Sequence, residues 1–292
     1  MKIAIYARNL DQENLSLFKA LIDDLRRVES GILLHKSLEP ACRELGYADD
    51  SLGLFINADD LDKSVDFVIS LGGDGTMLDA ATLIRDKAIP LLGINFGRLG
   101  FLASLGKDDM LKAVDALENS TYHIDQRTLL HIDADVPLFE DAPFALNECV
   151  LHKQDISSMI KVHTYINGEF LNTYWCDGVI VSTPTGSTAY NLSCNGPIVF
   201  PESGSFVITP IAPHHLNVRP IVVPDNNVIS FEVEARSDKF ICALDSRREY
   251  VDVKAQVAVR KEAFTIGMVR LSENTFLETL RNKLTWGLDK RN

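Results

Sequence analysis

Val65-Asp66-Phe67-Val68-Ile69-Ser70-Leu71-Gly72-Gly73-Asp74-Gly75-Thr76-Met77 is the stretch on which the fold turns. Its first seven residues are almost wholly apolar and rich in β-branched side chains, as expected of a strand buried on both faces. Met77, Ala80, Ala81 and Ile84 then fall at helical spacing, so the stretch predicts a strand, a glycine turn and a helix start. Gly72, Gly73 and Gly75 leave the backbone bare, and N–H groups there can approach an anion at the positive end of the helix. Asp74 sits at the tip. An acid repels a phosphate unless a divalent cation or a transferable proton gives it a task, which points to a catalytic or metal-organising role. The alternative is an Asp-Gly turn that only joins strand to helix. No Gly-Lys-Ser/Thr follows, and the third glycine of a dinucleotide fingerprint is missing, so neither common nucleotide motif is present.

Working outward, 292 residues suffice for one large or two ordinary domains with full cores. Hydrophobic residues at 46% and charged ones at 24% are ordinary for a globular protein. Cys42, Cys149, Cys176, Cys194 and Cys242 include no CxxC pair, so they read as reduced thiols in a cytoplasmic chain. The apolar run at the N-terminus is too short for a signal peptide, and no later run approaches a membrane span. A formal charge of -12 opposes nucleic-acid binding and gives no sign of a membrane surface. An anionic small ligand then needs local help from glycine N–H groups, cationic side chains or a metal ion.

In chain order, Lys2 to Ala7 predicts a strand, and Leu15, Phe18, Leu21, Ile22 and Leu25 share one face of a helix over Gln12 to Val28. Leu38 to Leu45 reads as a short helix. Ile89 to Ile94 predicts another strand, which runs into a second glycine-rich turn, Asn95-Phe96-Gly97-Arg98-Leu99-Gly100-Phe101-Leu102. Two such turns at the carboxyl ends of apolar strands mark the ligand edge of an open α/β sheet. Asp108 to Glu118 is amphipathic. Beyond Tyr122 the period changes to two, and short strands are predicted over Leu129–Val136, Phe144–Leu151, Ile160–Ile166, Trp175–Ser182, Val207–Pro210, Asn227–Ala235, Phe240–Leu244 and Gln256–Arg260. The expected organisation is an α/β domain over residues 1–122 with a parallel sheet, a mainly β domain over 123–268, and a C-terminal helix over 269–292 that packs back on the first domain.

Ser182-Thr183-Pro184-Thr185-Gly186-Ser187-Thr188 opens a loop after a buried strand and leads into a predicted helix from Thr188 to Asn195. Its hydroxyls suit phosphate or ribose oxygens, and a well-capped helix with a polar loop is the alternative. Asn147-Glu148 lies inside a predicted strand. A carboxylate beside a carboxamide can bind a vicinal diol, or simply mark an exposed edge. His214-His215 has no further ligand at helix-turn spacing and reads as a loop or core feature.

In this order and spacing, Gly72-Gly73-Asp74-Gly75-Thr76, Gly93 through Leu102, Asn147-Glu148, and Asp177-Gly178 through Thr183-Pro184-Thr185-Gly186-Ser187-Thr188-Ala189-Tyr190 together resemble the NAD kinase family over nearly the whole chain. The first motif is shared with lipid kinases and phosphofructokinases. The later stretches narrow the match.

The resemblance implies a Rossmann-like, phosphofructokinase-like first domain, a β-rich second one and an active site between them. It implies phosphoryl transfer from ATP or another donor, with Mg²⁺, to the adenosine-ribose 2′-hydroxyl of NAD. Asp74 is then the general base with Gly75 beside it, and the dinucleotide is bound by Asn147, Glu148, Asp177, Thr185, Thr188, Ala189, Tyr190, Asn191, Leu192 and Ser193. Ser158, Trp175 and Arg247 stand where relatives carry other residue types, and they are weaker candidates. A homodimer or homotetramer is also implied. A lipid or sugar kinase with the same turn, and a sensor that binds NAD or NADP without chemistry, are the alternatives.

Overall fold

A computed structural model describes residues 1–47, 52–97, 100–103, 105–271 and 275–286. The chain divides into two compact units, residues 1–126 with the chain from Ile266 on, and residues 127–265.

The first unit contains β1 (Lys2–Tyr6), α1 (Leu15–Arg27), β2 (Gly31–His35), α2 (Glu39–Glu44), β3 (Leu52–Phe55), β4 (Phe67–Leu71), α3 (Asp74–Ile84), β5 (Leu91–Asn95), the two-residue β6 (Leu105–Gly106) and α4 (Met110–Glu118). The strands β5, β4, β1, β2 and β3 lie side by side in that order, all parallel. The sequence does not announce β2 and β3, which are short and half exposed. Alternation along the strands puts Ile3, Ile5, Ile69, Leu71 and Ile94 in one cluster with Phe18, Leu21, Ile22 and Leu25 of α1 and with Val114 and Leu117 of α4. The four α1 residues are fully buried, each a contribution of about 1.5–3 kcal/mol. β4 and α3 meet at Gly72, whose φ of +147° no other residue adopts readily, and a Cβ there would stand 2.4 Å from the Thr76 Oγ1.

Two long strands, β7 (Tyr122–Ala134) and β18 (Val257–Leu271), each have residues in both units. The second unit holds β8 (Phe144–Ala145), β9 (Glu148–Lys153), β10 (Ile160–Ile166), β11 (Glu169–Cys176), β12 (Gly178–Ser182), the one-turn α5 (Tyr190–Ser193), β13 (Ser205–Ile211), β14 (Ile221–Pro224), β15 (Ile229–Glu234), β16 (Lys239–Leu244), β17 (Arg247–Asp252) and most of β18 (Val257–Leu271). α6 (Phe276–Leu284), capped by the Thr275 side chain, follows in the first unit. In the second unit β11, β10, β15 and β18 pair antiparallel, and β14, β13, β12, β9, β16 and β17 form a second antiparallel sheet. Val162, Tyr174 and Phe231 of the first share one core with Leu151, Val181, Phe206 and Phe240 of the other, so this unit is a sandwich of two sheets.

Three predicted elements are corrected. The strand over Phe144–Leu151 breaks at Leu146-Asn147, whose N–H groups turn to the Asp245 carboxylate. The strand over Trp175–Ser182 breaks at Asp177, where the chain leaves one sheet for the other. The helix from Thr188 to Asn195 is a 3-10 turn over Thr185–Thr188 followed by α5, and it stops where Asn195 adopts a φ of 62°.

Candidate functional site

The site residues fall into two groups, one in each unit. In the first unit α3 begins at Asp74, with Gly73 as its N-cap, so the carboxylate lies in the first turn, where the helix dipole favours an anion. Its Oδ2 accepts from the Phe101 N–H at 2.9 Å, and its Oδ1 accepts from Leu102 and Ala103 at 3.0 and 3.1 Å. The second glycine turn therefore clasps the acid of the first. Gly100 makes this possible, because a Cβ on it would stand 1.8 Å from the Asp74 Oδ1. Among the described residues these three donors leave Oδ2 one of its two acceptor positions, so Asp74 is held rigidly while keeping a lone pair for a proton. Arg98 and Leu99 of this turn lie outside the described residues.

Arg8 was not singled out by sequence reasoning. It donates to the Gly75 carbonyl at 3.1 Å and forks onto Asp79, which also accepts from the Tyr6 hydroxyl at 3.1 Å. Burial first, and the Asp79 carboxylate second, push the Tyr6 phenol up to about 12, against the pull of Arg8. The signal was an arginine just past the first strand, one turn from an acid on α3 that only the fold brings beside it.

In the second unit Asn147 and Glu148 sit at the break between β8 and β9, 7% and 8% exposed. Every backbone group around them is engaged. The Thr183 hydroxyl donates to the Leu146 carbonyl at 2.6 Å, the Thr183 N–H donates to the Asn147 carbonyl at 2.8 Å, and Gly186 packs so closely that a Cβ would stand 2.2 Å from that carbonyl oxygen. The side chains are different: the Asn147 Oδ1 and the Glu148 Oε2 are buried without a partner. Buried polar atoms almost always find one, and unpaired they cost about 1–3 kcal/mol each. Burial first, and the nearby Asp245 second, push the Glu148 carboxyl up to about 8, against the pull of the Tyr190 backbone N–H.

The loop after β12 is braced by two of its own side chains. Asn191, fully buried, donates to the carbonyls of Ser187 and Pro197 at 3.1 Å and accepts from Thr209 at 2.6 Å. Ser187 both donates to and accepts from the Val199 backbone. Thr185 accepts from the buried Arg127 at 3.3 Å, and Thr188 donates to the Thr185 carbonyl. Tyr190 and Ser193 are exposed, Ala189 and Leu192 half buried. Thus the loop brings Gly186 and Tyr190 to the Asn147-Glu148 pair, with Thr185 and Thr188 in the turn around Gly186, and Asn191 serves as its internal strut.

Asp177 pairs with Lys153 at 2.7 Å and is near enough to Tyr190 to help raise its phenol, after burial and Cys194. Trp175 is 42% exposed on β11, its ring 4.9 Å from that of His214. Ser158 lies in the bend before β10. Arg247 points to backbone: it donates to the Ala142 and Phe144 carbonyls and lies over the rings of Phe139 and Phe144.

The ATP-NAD kinase N-terminal domain matches residues 55–122, and the ATP-NAD kinase C-terminal domain matches residues 146–271. The chain is 47% identical over 293 residues to an NAD kinase of Cytophaga hutchinsonii and 40% identical over 296 residues to one of Bacteroides fragilis, each match covering the whole of both chains. Among solved structures it resembles an NAD kinase from Archaeoglobus fulgidus in complex with ATP, with a TM-score of 0.76 at 25% identity, covering 98% of this chain and 99% of that one. It shares its fold with yeast NADH kinase complexed with NADH, with a TM-score of 0.87 at 22% identity, covering 99% of this chain and 88% of the other. With matches in both domains and across its full length, the chain belongs to the NAD kinase family.

Proposed function

We propose that this kinase moves the terminal phosphoryl group of ATP to the adenosine-ribose 2′-hydroxyl of NAD, with Asp74 as general base and Asn147 and Glu148 as the grip on the dinucleotide. The observation that carries this reading is the pair of unpaired, buried acceptors on Asn147 and Glu148, which await a ligand with hydroxyl or amide donors. An alcohol is a poor nucleophile at neutral pH. A carboxylate fixed by three backbone N–H groups, with one lone pair left over, can take the hydroxyl proton as the O–P bond forms, worth roughly 10²- to 10⁴-fold in rate. Gly75 and the first turn of α3 present bare backbone to the phosphates. Thr185, Thr188, Ala189, Tyr190 and Leu192 line the grip, Ser193 its outer end, and Asp177 can exchange Lys153 for a base or amide edge.

Among the described residues no three His, Cys, Asp or Glu side chains gather around a metal position. That donor set fits Mg²⁺ arriving on the triphosphate, where phosphate oxygens and waters fill most of its coordination and Asp74 stays free for the proton. When bound, it neutralises charge on the transferring phosphates. We also assign the chain to the cytoplasm, in keeping with its five free cysteines. No described helix is long and apolar enough to cross a membrane. A homodimer or homotetramer is in keeping with the exposed Trp175, Phe170 and Leu216 of the second unit. The test is to incubate the purified chain with NAD, ATP and Mg²⁺ and measure NADP. Absence of product with NAD or NADH, and with every donor tried, rejects the reading.

A further inference from the structure

Asp245 has so far entered only as a neighbour of Glu148 and an acceptor for the chain before it, yet three N–H groups of the Asn147-Glu148 segment lead to its side chain. It stands in the two-residue tip between β16 and β17, where Leu244 and Arg247 are cross-strand partners, and adopts a φ of 53°. Its Oδ2 accepts from the Leu146 N–H at 2.9 Å, and its Oδ1 accepts from Asn147 at 2.9 Å and Glu148 at 3.1 Å. Its own N–H donates to the Glu148 carbonyl at 3.0 Å. Three successive N–H groups converging on one point form a nest that suits an anion, and the side chain of Asp245 supplies the anion. The turn alone does not ask for an acid, because Asn or Gly fits a positive φ as well. Two residues on, Arg247 holds the carbonyls of Ala142 and Phe144, so one hairpin tip fixes the segment 142–148 along its length.

We infer that Asp245 is a positioning residue for NAD binding: it fixes the backbone of Asn147 and Glu148 and places a like charge beside the Glu148 carboxyl. This rests on the reading that Asn147 and Glu148 grip the dinucleotide. The groups facing Glu148 are Asp245, Tyr190 and Cys194, with Arg247 behind Asp245 and Asp177 beyond Tyr190. Of these, Asp245 is the one whose charge opposes ionisation of Glu148 most. Burial raises the Asp245 carboxyl too, while the three N–H groups and Arg247 pull it back down.

The test compares the full-length wild type, D245N and E148Q, with the dissociation constant for NAD measured by titration calorimetry from pH 5 to 9, and kcat and KM beside it. Asn keeps the backbone turn but loses the charge and one acceptor. D245N is expected to weaken NAD binding about 10-fold, with KM rising more than kcat falls. Its pH midpoint of binding should move down by about one pH unit, because Glu148 loses its like-charged neighbour. A folded D245N with wild-type affinity and an unmoved midpoint overturns the inference. If E148Q also binds NAD as the wild type does, the grip itself is wrong; if E148Q binds weakly and D245N normally, only the role of Asp245 is. Amide hydrogen exchange on the wild type tests the nest without any substitution: Leu146, Asn147 and Glu148 should be protected before NAD is added, and rapid exchange at all three overturns the inference.

Discussion

Replacing Glu148 with Gln should make the protein weaker as an enzyme and stronger as a fold, and pH separates the two. The folded carboxyl is raised from 4.5 to about 8. Between those values the native protein holds a proton that the unfolded chain has released, so stability falls as pH rises through the window and the full cost is present above pH 8. At about 1.36 kcal/mol per pH unit the ceiling is near 5 kcal/mol, and relaxation around a carboxyl at the edge of a binding site brings the expected figure to about 2–3 kcal/mol. Glutamine keeps the shape and cannot ionise. Its amide has donors of its own to satisfy, but that cost does not vary with pH. Urea unfolding of both proteins at pH 5 and pH 9 therefore measures the difference directly: the advantage of E148Q over wild type should grow by about 2–3 kcal/mol between the two conditions. A stability difference that stays flat across this range refutes the claim that a buried, raised carboxyl occupies position 148. NAD affinity should fall in the same variant.

Asp74→Asn should lower kcat by about two to four orders of magnitude while the dissociation constant for NAD changes little, as stopped assays and calorimetry will show. Gly100→Ala forces a methyl group into the Asp74 Oδ1 and should cost roughly 10²-fold in kcat through displacement of the acid, with NAD binding retained. Asn191→Ala removes three buried hydrogen bonds and leaves Thr209 unpaired, and should cost about 2–4 kcal/mol in chemical denaturation. Arg8→Ala disturbs a half-exposed pair, so its unfolding free energy should stay within about 1 kcal/mol of wild type.

What could be read in the primary structure depended on range. The strand over Phe67–Leu71 and the start of α3 were legible because an apolar β-branched run, three glycines and helical spacing lie within twenty residues. β17 was not legible, since Arg247 to Asp252 is mostly charged and shows no apolar face until Val251 is buried by the sandwich. The site followed the same rule. Asp74, Asn147 and Glu148 could be proposed from local motifs, whereas the part played by Asp245 depends on N–H groups 97 to 99 residues away, a relation that no local pattern encodes. Likewise Asn191 looked like a ligand contact because it follows a hydroxyl-rich loop. Only packing shows that its amide is consumed by Ser187, Pro197 and Thr209.

The passage of β18 back into the first unit has a consequence for biosynthesis. Met268 pairs with Leu91, so the strand that flanks the early part of β5 leaves the ribosome only after the strands of the sandwich have been made. Until then a nascent chain exposes the open side of a parallel sheet for the time needed to translate the whole sandwich, and an open strand edge invites pairing with other chains. Fragments ended near residue 126 should for that reason be recovered as aggregates, and co-expression with a peptide covering residues 257–292 should return them to the soluble fraction.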